Sequence, residues 1–96
     1  IDKADVMVCD GFTGNVVLKM AESFYDITQR KQIRHEYFDR FDYENYGGTP
    51  VLGVAKPVII GHGISHAKSF ANMIFLSEKI ISTALLEKMK KAFEQA

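Results

Sequence analysis

The feature that most constrains the fold of this chain is a glycine-bearing turn, Asp10–Asn15, between an apolar run and a helical pattern. The run before it, Val6–Cys9, is continuous rather than alternating, which predicts a buried β-strand covered on both faces. The residues after it, Val16–Phe24, predict the start of a helix. Gly11 and Gly14 can adopt positive φ and would let a ligand approach the backbone closely.

This strand–turn–helix corner has two interpretations. The N–H groups of a first helical turn are unpaired and the helix dipole favours negative charge there, so the corner can bind an anion. A Gly-x-x-Gly turn after a strand is also common, and the hexamer matches neither a Walker A loop nor a dinucleotide-binding fingerprint. In the second interpretation the hexamer is a tight turn in which Thr13 caps the helix.

Composition narrows the class of protein. The chain has 96 residues, enough for one small domain with a core of its own. The charges of its 12 basic and 12 acidic residues sum to zero, and this balance argues against a dedicated nucleic-acid-binding protein. The single cysteine, Cys9, cannot form an internal disulfide, and its apolar setting predicts an inert core thiol.

The sequence shows no signal peptide and no apolar run long enough to span a bilayer. Because the chain starts at Ile1 without an initiator Met, we expect a single partial domain of a longer polypeptide.

The first half predicts a long helix and a basic, aromatic connector. Helix 1 is predicted from Asn15 to Gln29, where apolar residues recur at helical spacing. A break is predicted near residues 31–34, followed by a short helix from His35 to Phe41. Two interpretations of this connector stay open: a docking surface for an acidic partner or an anionic membrane face, and a solvated connector whose aromatic side chains fill the core. Its clustered basic residues are Arg30, Lys31 and Arg34.

The second half predicts a hairpin followed by a helix. Strands are predicted at Val51–Val54 and Val58–Ile60, and the three-residue link between them indicates an antiparallel pair. The preceding pair, Gly47-Gly48, supplies unusual backbone angles. Helix 2 follows, with Ser65 as its expected N-cap and a kink or a new cap at Ser82-Thr83. Its stripe, apolar except for Glu78, also contains Ala67, Phe70, Ala71, Ile74 and Ile81. These elements together predict an α/β fold in which helices flank a mixed sheet.

Two strand-to-helix corners, Asp10–Asn15 and Gly61–Ser65, share one shape. If their strands are neighbours in one sheet, both turns open at the edge where α/β sheets bind ligands. A metal site fits poorly, because His62 and His66 span a turn and no cysteine or second carboxylate joins them. No Gly-x-Ser-x-Gly elbow supports a serine hydrolase. His62 is either a turn histidine hydrogen-bonded to backbone or a group that stabilises charge or transfers a proton. The polar side chains suited to phosphate or another oxyanion are Asp10, Thr13, Asn15, His62, Ser65 and His66.

Three sequence blocks make the chain recognisable. The first, Ala4–Lys19, contains the Asp-Gly-Phe-Thr-Gly-Asn turn. The second, Phe41–Val54, is similar to a Tyr-Gly-Gly-Ala-x-Leu-x-Gly region, and the third, Val58–Ala67, to a His-Gly-Ser-Ser-Asn-Ala turn. In this order the blocks resemble the PlsX family, bacterial phosphate acyltransferases of phospholipid synthesis. They cover most of the chain, which would be the C-terminal portion of a longer enzyme.

The resemblance implies a fold and a reaction. The fold would be part of a three-layer α/β/α sandwich with a mixed sheet, related to the phosphotransacetylases, in a homodimer. Inorganic phosphate would attack the thioester of acyl-(acyl carrier protein), giving acyl phosphate and free carrier protein, with no metal or organic cofactor. The enzyme would be cytoplasmic, with peripheral membrane contact through the aromatic connector and no nucleic-acid partner.

The resemblance also implies roles for particular residues. Asn15 and the backbone of the first corner would bind phosphate or the oxyanion, and His62 and Ser65 would polarise the carbonyl or assist the departing thiolate. The acidic carrier protein would dock on Arg30, Lys31 and Arg34. The expected phosphate and substrate contacts are Asp10, Gly11, Thr13, Gly14, Asn15, Gly47, Gly48 and Gly63.

Two other functions stay open at this point. One is a non-catalytic module for dimerisation or carrier-protein docking. The other is an enzyme similar to phosphate acetyl- or butyryltransferases, which would use coenzyme A thioesters.

Overall fold

The computed structural model describes residues 3–63 and 65–96, so residue 64 of the second predicted corner lies outside the described residues. The chain divides into two compact units, Ile1–Phe41 and Asp42–Ala96. Helices together with a small sheet agree with the predicted α/β class. In chain order the elements are helix α1 (Gly11–Arg30), helix α2 (Glu36–Asp39), a 3₁₀ turn (Tyr43–Asn45), strand β1 (Gly48–Pro50), strand β2 (Ile59–Gly61), helix α3 (Ala67–Ser82) and helix α4 (Leu85–Glu94).

Helix α1 begins at Gly11 because Asp10 caps it. The Asp10 carboxylate accepts hydrogen bonds from the Thr13 backbone N–H at 2.9 Å and from the Thr13 hydroxyl at 2.7 Å. A carboxylate at this position satisfies an N–H group that has no partner inside the helix. The prediction that Thr13 caps the helix was therefore wrong, as was the later start at Asn15. Gly11 and Gly14 are helical and do not use positive φ.

The apolar segment Val6–Cys9 forms no strand in the described structure. Its side chains are exposed, Val8 to 91%, and Cys9 is exposed as well. A strand forms where a neighbouring strand takes up its backbone hydrogen bonds, and no described segment pairs with these residues. The predictions of a buried strand and of a core thiol were wrong for this reason.

The connector packs its aromatic side chains on α1. The predicted break is confirmed, since α1 ends at Arg30 and Gln32 takes a left-handed φ of 55°. The ring of Phe24 on α1 meets the rings of Phe38 and Phe41 edge to face, at centroid distances of 5.5 and 6.1 Å. The rings pack on one another within this unit, but none of them is buried and Phe24 is 45% exposed, so both interpretations of the connector stay open.

The antiparallel hairpin of the second unit is confirmed. Gly48 lies opposite Gly61, and Pro50 lies opposite Ile59. The predicted strand Val51–Val54 was placed too late, because the chain bends after the ladder and Gly53 takes a φ of 82°. The predicted three-residue connection was also wrong, because β1 ends at Pro50 and β2 begins only at Ile59.

Helix α3 packs one face on the rest of its unit. Ser69 and Ile80 on this face are buried. Gly47, at a φ of 78°, lies so close to α3 that a Cβ there would approach the Ser69 carbonyl oxygen to 2.6 Å. The unusual backbone angle predicted for the glycine pair is thus confirmed at Gly47. The helix and the 3₁₀ turn are also joined by the Asn72 Nδ2 group, which donates to the Glu44 carbonyl at 2.7 Å.

The apolar stripe predicted along this helix faces outward. Phe70, Ile74 and Ile81 are 57%, 70% and 67% exposed. Because α3 carries apolar residues on more than one face, its periodicity did not identify the face that packs within the unit. Among the described residues, no single helix is long and apolar enough to cross a membrane, whereas α3 and α4 meet that length and composition together as a pair bent by 50°.

The predicted break between the last two helices is confirmed. Helix α3 ends at Ser82, and Ala84 adopts the left-handed conformation with φ 51° and ψ 39°. A Cβ atom in this conformation crowds the following carbonyl, and glycine avoids that contact. The turn therefore places strain on Ala84.

Replacing Ala84 by glycine is expected to raise the free energy of unfolding by about 0.5–1 kcal/mol, because the relief of strain exceeds the extra freedom of glycine in the unfolded chain. Ala92→Gly, within α4, is the matched control and should lower it by about 1 kcal/mol. Urea denaturation followed by circular dichroism measures both. Equal destabilisation by the two changes would contradict this account of the turn.

Candidate anion site

The second corner leaves the N-terminus of α3 without a side-chain cap. His66 occupies the cap position, and its side chain makes no capping hydrogen bond. Ser65, the predicted cap, instead donates its hydroxyl to the His62 carbonyl at 2.7 Å, so that prediction was wrong. The Phe70 N–H donates to the His66 carbonyl at 3.1 Å, and the N–H groups of the first turn precede that bond. Such groups have no acceptor inside the helix and are donors for an anion.

The charge around this turn also suits an anion. The first turn of α3 contains no acidic residue and includes Lys68. The Lys68 ammonium donates to Asn45 Oδ1 at 2.8 Å and lies 4.0 Å from the Asp42 carboxylate. The positive end of the helix dipole therefore has no carboxylate within its own first turn to neutralise it.

His62 is held at both its main chain and its ring. Its carbonyl accepts the Ser65 hydroxyl at 2.7 Å and the Ser65 N–H at 3.1 Å. Its ring lies against the ring of Tyr43, with centroids 4.7 Å apart and planes inclined by 48°. The imidazole is half-buried in the segment that leads into α3. A histidine fixed in this way can donate to an oxyanion without reorganising.

The first corner differs from the second in its charge. Asp10 lies at the N-terminus of α1, and the hydrogen bonds from Thr13 hold the pKa of its carboxyl below the ordinary value of 3.8. The carboxylate is therefore ionised at neutral pH and already occupies the end of the helix where an anion would bind. A second anion at this turn would meet a like charge.

Asp10 also allows a test of this capping geometry. Asp10→Ala should fray the first turn of α1, seen as faster amide hydrogen exchange at Thr13, whereas Asp10→Asn should retain protection because asparagine caps equally well. Since the folded pKa is lowered, the stabilisation is complete above about pH 4 and is lost as the pH falls through the folded value. The asparagine variant should lack this acid dependence. Unchanged exchange in Asp10→Ala would contradict the assignment of the cap.

The candidate residues divide between the two units. Within the second unit the structure brings together His62 and Ser65, and a Cβ at Gly61 would lie 3.4 Å from the Ser65 hydroxyl. Gly63 has open space where a Cβ would be. The first unit holds Asp10, Gly11, Thr13, Gly14 and Asn15, and the second holds Gly47, Gly48, His62, Gly63 and Ser65.

Two of the predicted contacts, Gly47 and Gly48, have a packing role. A Cβ at Gly47 would meet α3, and a Cβ at Gly48 would lie 2.5 Å from the Ile60 carbonyl oxygen. The close approach of backbone to backbone accounts for both glycines. A contact of either glycine with substrate stays a prediction.

Sequence reasoning missed residues that support the second corner. Tyr43 contacts the ring of His62, and Lys68 and Asn72 fasten the 3₁₀ turn to α3. The positions of Lys68 and Asn72, one helical turn apart on α3, are a signal that could have indicated a shared polar face. Ser69 is fully buried, and its hydroxyl has no hydrogen-bond partner among the described residues.

Two further questions from the sequence concern metal binding and the predicted docking surface. Among residues 3–63 and 65–96, no group of three or more His, Cys, Asp or Glu could hold a metal ion. Arg30, Lys31 and Arg34 are exposed around the end of α1, and their docking role stays a prediction.

Comparison with known proteins identifies relatives of the chain. A family model described as fatty acid synthesis protein matches residues 27–88. A phosphate acyltransferase of Aliarcobacter butzleri is 38% identical over 84% of this chain and 30% of its own length. Phosphate acyltransferases of Wolinella succinogenes and Aquifex aeolicus are 37% and 35% identical, over 93% and 88% of this chain and 33% and 31% of their own lengths.

The chain spans about a third of the length of the curated relatives it matches. No solved structure matches it. The family model covers more than half of the chain, and the second and third sequence blocks lie within the matched residues. The chain therefore belongs to the family described as fatty acid synthesis protein, the PlsX family that its sequence blocks resemble.

Proposed function

We propose that this chain is the C-terminal part of a phosphate acyltransferase of bacterial phospholipid synthesis. In the proposed reaction a phosphate oxygen attacks the carbonyl carbon of acyl-(acyl carrier protein), the C–S bond breaks, and the thiolate leaves and takes up a proton. The products are acyl phosphate and free carrier protein. The observation that carries the proposal is the uncapped first turn of α3, beside a histidine held at its main chain and its ring.

Phosphate binding is assigned first to the N-terminus of α3. Backbone N–H groups can hold and orient a phosphate without ionisable chemistry of their own. The absence of a side-chain cap on α3 and the Asp10 cap on α1 both favour this corner over the first. Asn15, exposed on the second turn of α1, is retained as a contact to substrate at the other corner.

His62 is assigned the role of stabilising the thioester carbonyl and assisting the departing thiolate. The carbonyl oxygen gains negative charge as phosphate attacks, and a fixed imidazole N–H stabilises that charge. An imidazolium at the same place can supply the proton that the departing thiolate needs. Ser65 contributes through the His62 backbone, because its hydroxyl is engaged by the His62 carbonyl.

The proposal also includes the architecture of the whole domain, its oligomeric state and its partners. The exposed stripe of α3 and the exposed segment Val6–Cys9 are apolar surfaces that a larger fold would cover. We assign them to a three-layer α/β/α sandwich with a mixed sheet and to a homodimer. The exposed basic residues Arg30, Lys31 and Arg34 suit an acidic carrier protein. A cytoplasmic enzyme with peripheral membrane contact completes the proposal.

A second function suits the chain as it stands. Ile80 is the buried hydrophobic residue among those described, whereas large apolar side chains such as Val8 and Phe12 are 91% and 80% exposed. Surfaces of this kind are typical of an interaction module. The alternative is therefore a non-catalytic dimerisation or docking module.

A thiol-release assay tests these functions. Acyl-(acyl carrier protein) is mixed with this chain, or with a longer parent protein, with and without phosphate. We expect phosphate-dependent thiol release by the parent and none by the chain alone. Release by the chain alone would overturn the module alternative, and a parent that prefers acyl coenzyme A would favour the acetyl- or butyryltransferase chemistry. A parent that releases no thiol from either substrate would contradict the proposed reaction.

A further inference from the structure

We propose that a groove between strand β1 and helix α3 binds the phosphopantetheine arm that carries the acyl thioester. The proposal rests on the proposed function, because that function places a thioester at the N-terminus of α3. The arm has the same chemistry in acyl carrier protein and in coenzyme A. It is an extended chain that joins a phosphate to the thiol through two amide groups.

The groove has the size and the aromatic walls of a small-molecule site. It lies within the second unit, and its volume of about 360 Å³ is typical of ligand sites. Tyr46 and Phe75 line it and are both more than half exposed. Neither ring contacts another aromatic ring in the part of the chain that the structure describes. Both rings therefore offer apolar surface to the methyl and methylene groups of the arm.

The outer edge of β1 presents backbone groups that match the amides of the arm. Among the described residues, β1 pairs with β2 alone. The Val51 N–H donates to the Val58 carbonyl at 2.9 Å, and bonded and non-bonded pairs alternate along an antiparallel ladder. Gly48 and Pro50 therefore fall in non-bonded pairs and direct their backbone polar groups away from β2. Both residues line the groove, where an extended chain with amide groups can pair with them.

The charge of the groove suits the phosphate. Lys79 lines the groove, is exposed, and forms no ion pair with any described residue. Lys68, nearer the start of the same helix, is instead held by Asn45 and Asp42. None of the described residues that line the groove is acidic. A phosphate there meets an available cation and no carboxylate that opposes it.

The length of the arm matches the distance along the helix. Lys79 lies about 18 Å from Ala67 along α3, at about 1.5 Å per residue. The arm has about 13 bonds between phosphorus and sulfur, which span about 15 Å at the spacing of an extended polypeptide. A phosphate on Lys79 thus leaves the sulfur close to the first turn of α3. The register agrees, because Gly48 lies opposite Gly61, the residue before His62.

NMR titrations of the isotope-labelled 96-residue chain test the groove. The probes are phosphopantetheine and pantetheine, which differ only in the phosphate. We expect phosphopantetheine to shift the amides of Tyr46, Gly48 and Phe75 saturably. Pantetheine should shift the same amides with an about threefold higher Kd, because it lacks the ion pair with Lys79.

Substitutions separate the cation from the rings. Lys79→Met should raise the Kd for phosphopantetheine about threefold and leave that for pantetheine unchanged, because both changes remove the same interaction. Lys88→Met, on α4 and outside the groove, is the matched control and should change neither Kd. Phe75→Ala should weaken both probes by the same factor. Phe70→Ala, on the outward stripe of the same helix, should weaken neither.

Two carriers of the arm distinguish its source. Acyl carrier protein that bears the arm and coenzyme A are titrated against the same chain, with carrier protein lacking the arm as the control. Shifts of the groove amides by either carrier support the groove, and the lower Kd assigns the arm to that carrier.

Two results would overturn the proposal. One is phosphopantetheine that leaves the groove amides unmoved, which is measured without any substitution. The other is a loss of pantetheine affinity in Lys79→Met that equals the loss of phosphopantetheine affinity. A longer parent protein that releases no thiol would contradict the proposed function instead, because binding of the arm to this chain is measured without any reaction.

Discussion

Replacing Gly47 by alanine is expected to lower the free energy of unfolding of the second unit by about 2–5 kcal/mol. Two costs add. Gly47 has a φ of 78°, where a Cβ atom crowds the neighbouring carbonyl. The new Cβ would also lie 2.6 Å from the Met73 nitrogen and 2.6 Å from the Ser69 oxygen, which are backbone atoms of α3 and cannot rotate away. The 3₁₀ turn and the helix would have to separate.

Gly53 provides the matched control for this change. It has a similar φ of 82°, yet a Cβ there would meet nothing within 4 Å. Gly53→Ala should therefore cost only the conformational term, about 1–2 kcal/mol. Urea denaturation followed by circular dichroism measures both variants. Equal costs at the two positions would show that the contact with α3 has no energetic weight and would contradict the described packing.

Replacing Ile80 by alanine is expected to cost about 2–5 kcal/mol. Ile80 is 5% exposed, on the face of α3 that packs within its unit. Removing its terminal carbons loses their transfer free energy and leaves a cavity that the surrounding chain fills incompletely. For a unit of this size, such a loss is comparable with the whole stability of the fold.

Ile81, the next residue on the same helix, provides the matched control for Ile80→Ala. It is 67% exposed, so Ile81→Ala removes the same atoms without opening a cavity. The expected change is within about 0.5 kcal/mol. Thermal and urea denaturation of both variants measure the difference. A larger loss from Ile81→Ala than from Ile80→Ala would mean that the opposite face of α3 is the packed one.

The spacing of apolar residues predicted where the helices lie better than it predicted their exact ends and the faces that pack. Apolar spacing indicated α1, and the change of pattern near residues 82–83 indicated the break before α4. The start of α1 was missed because Asp10 and Thr13 are both capable caps, and only the geometry shows which one accepts. The apolar stripe identified on α3 is not the face that packs within the unit. Apolar residues lie on more than one face of this helix, so periodicity alone could not choose between Ile80 and Ile81.

Features that depend on distant parts of the chain could not be predicted. Val6–Cys9 has the composition of a strand, yet a strand also requires a partner, which composition does not reveal. The glycine pair correctly indicated an unusual angle at Gly47, but its contact with Ser69 and Met73 depends on where α3 packs. At the candidate site, sequence identified His62 and Ser65. It missed Tyr43 because a ring contact across two elements has no sequence period.

The most direct test of the account is an NMR titration of the chain with inorganic phosphate at constant ionic strength. The amides of the first turn of α3, Ala67, Lys68 and Ser69, should shift and saturate, because this turn lacks a side-chain cap. The amides of Gly11 and Phe12 should stay unchanged, because the Asp10 carboxylate already occupies the N-terminus of α1. Saturable shifts at α1 with none at α3 would contradict the assignment of the anion site.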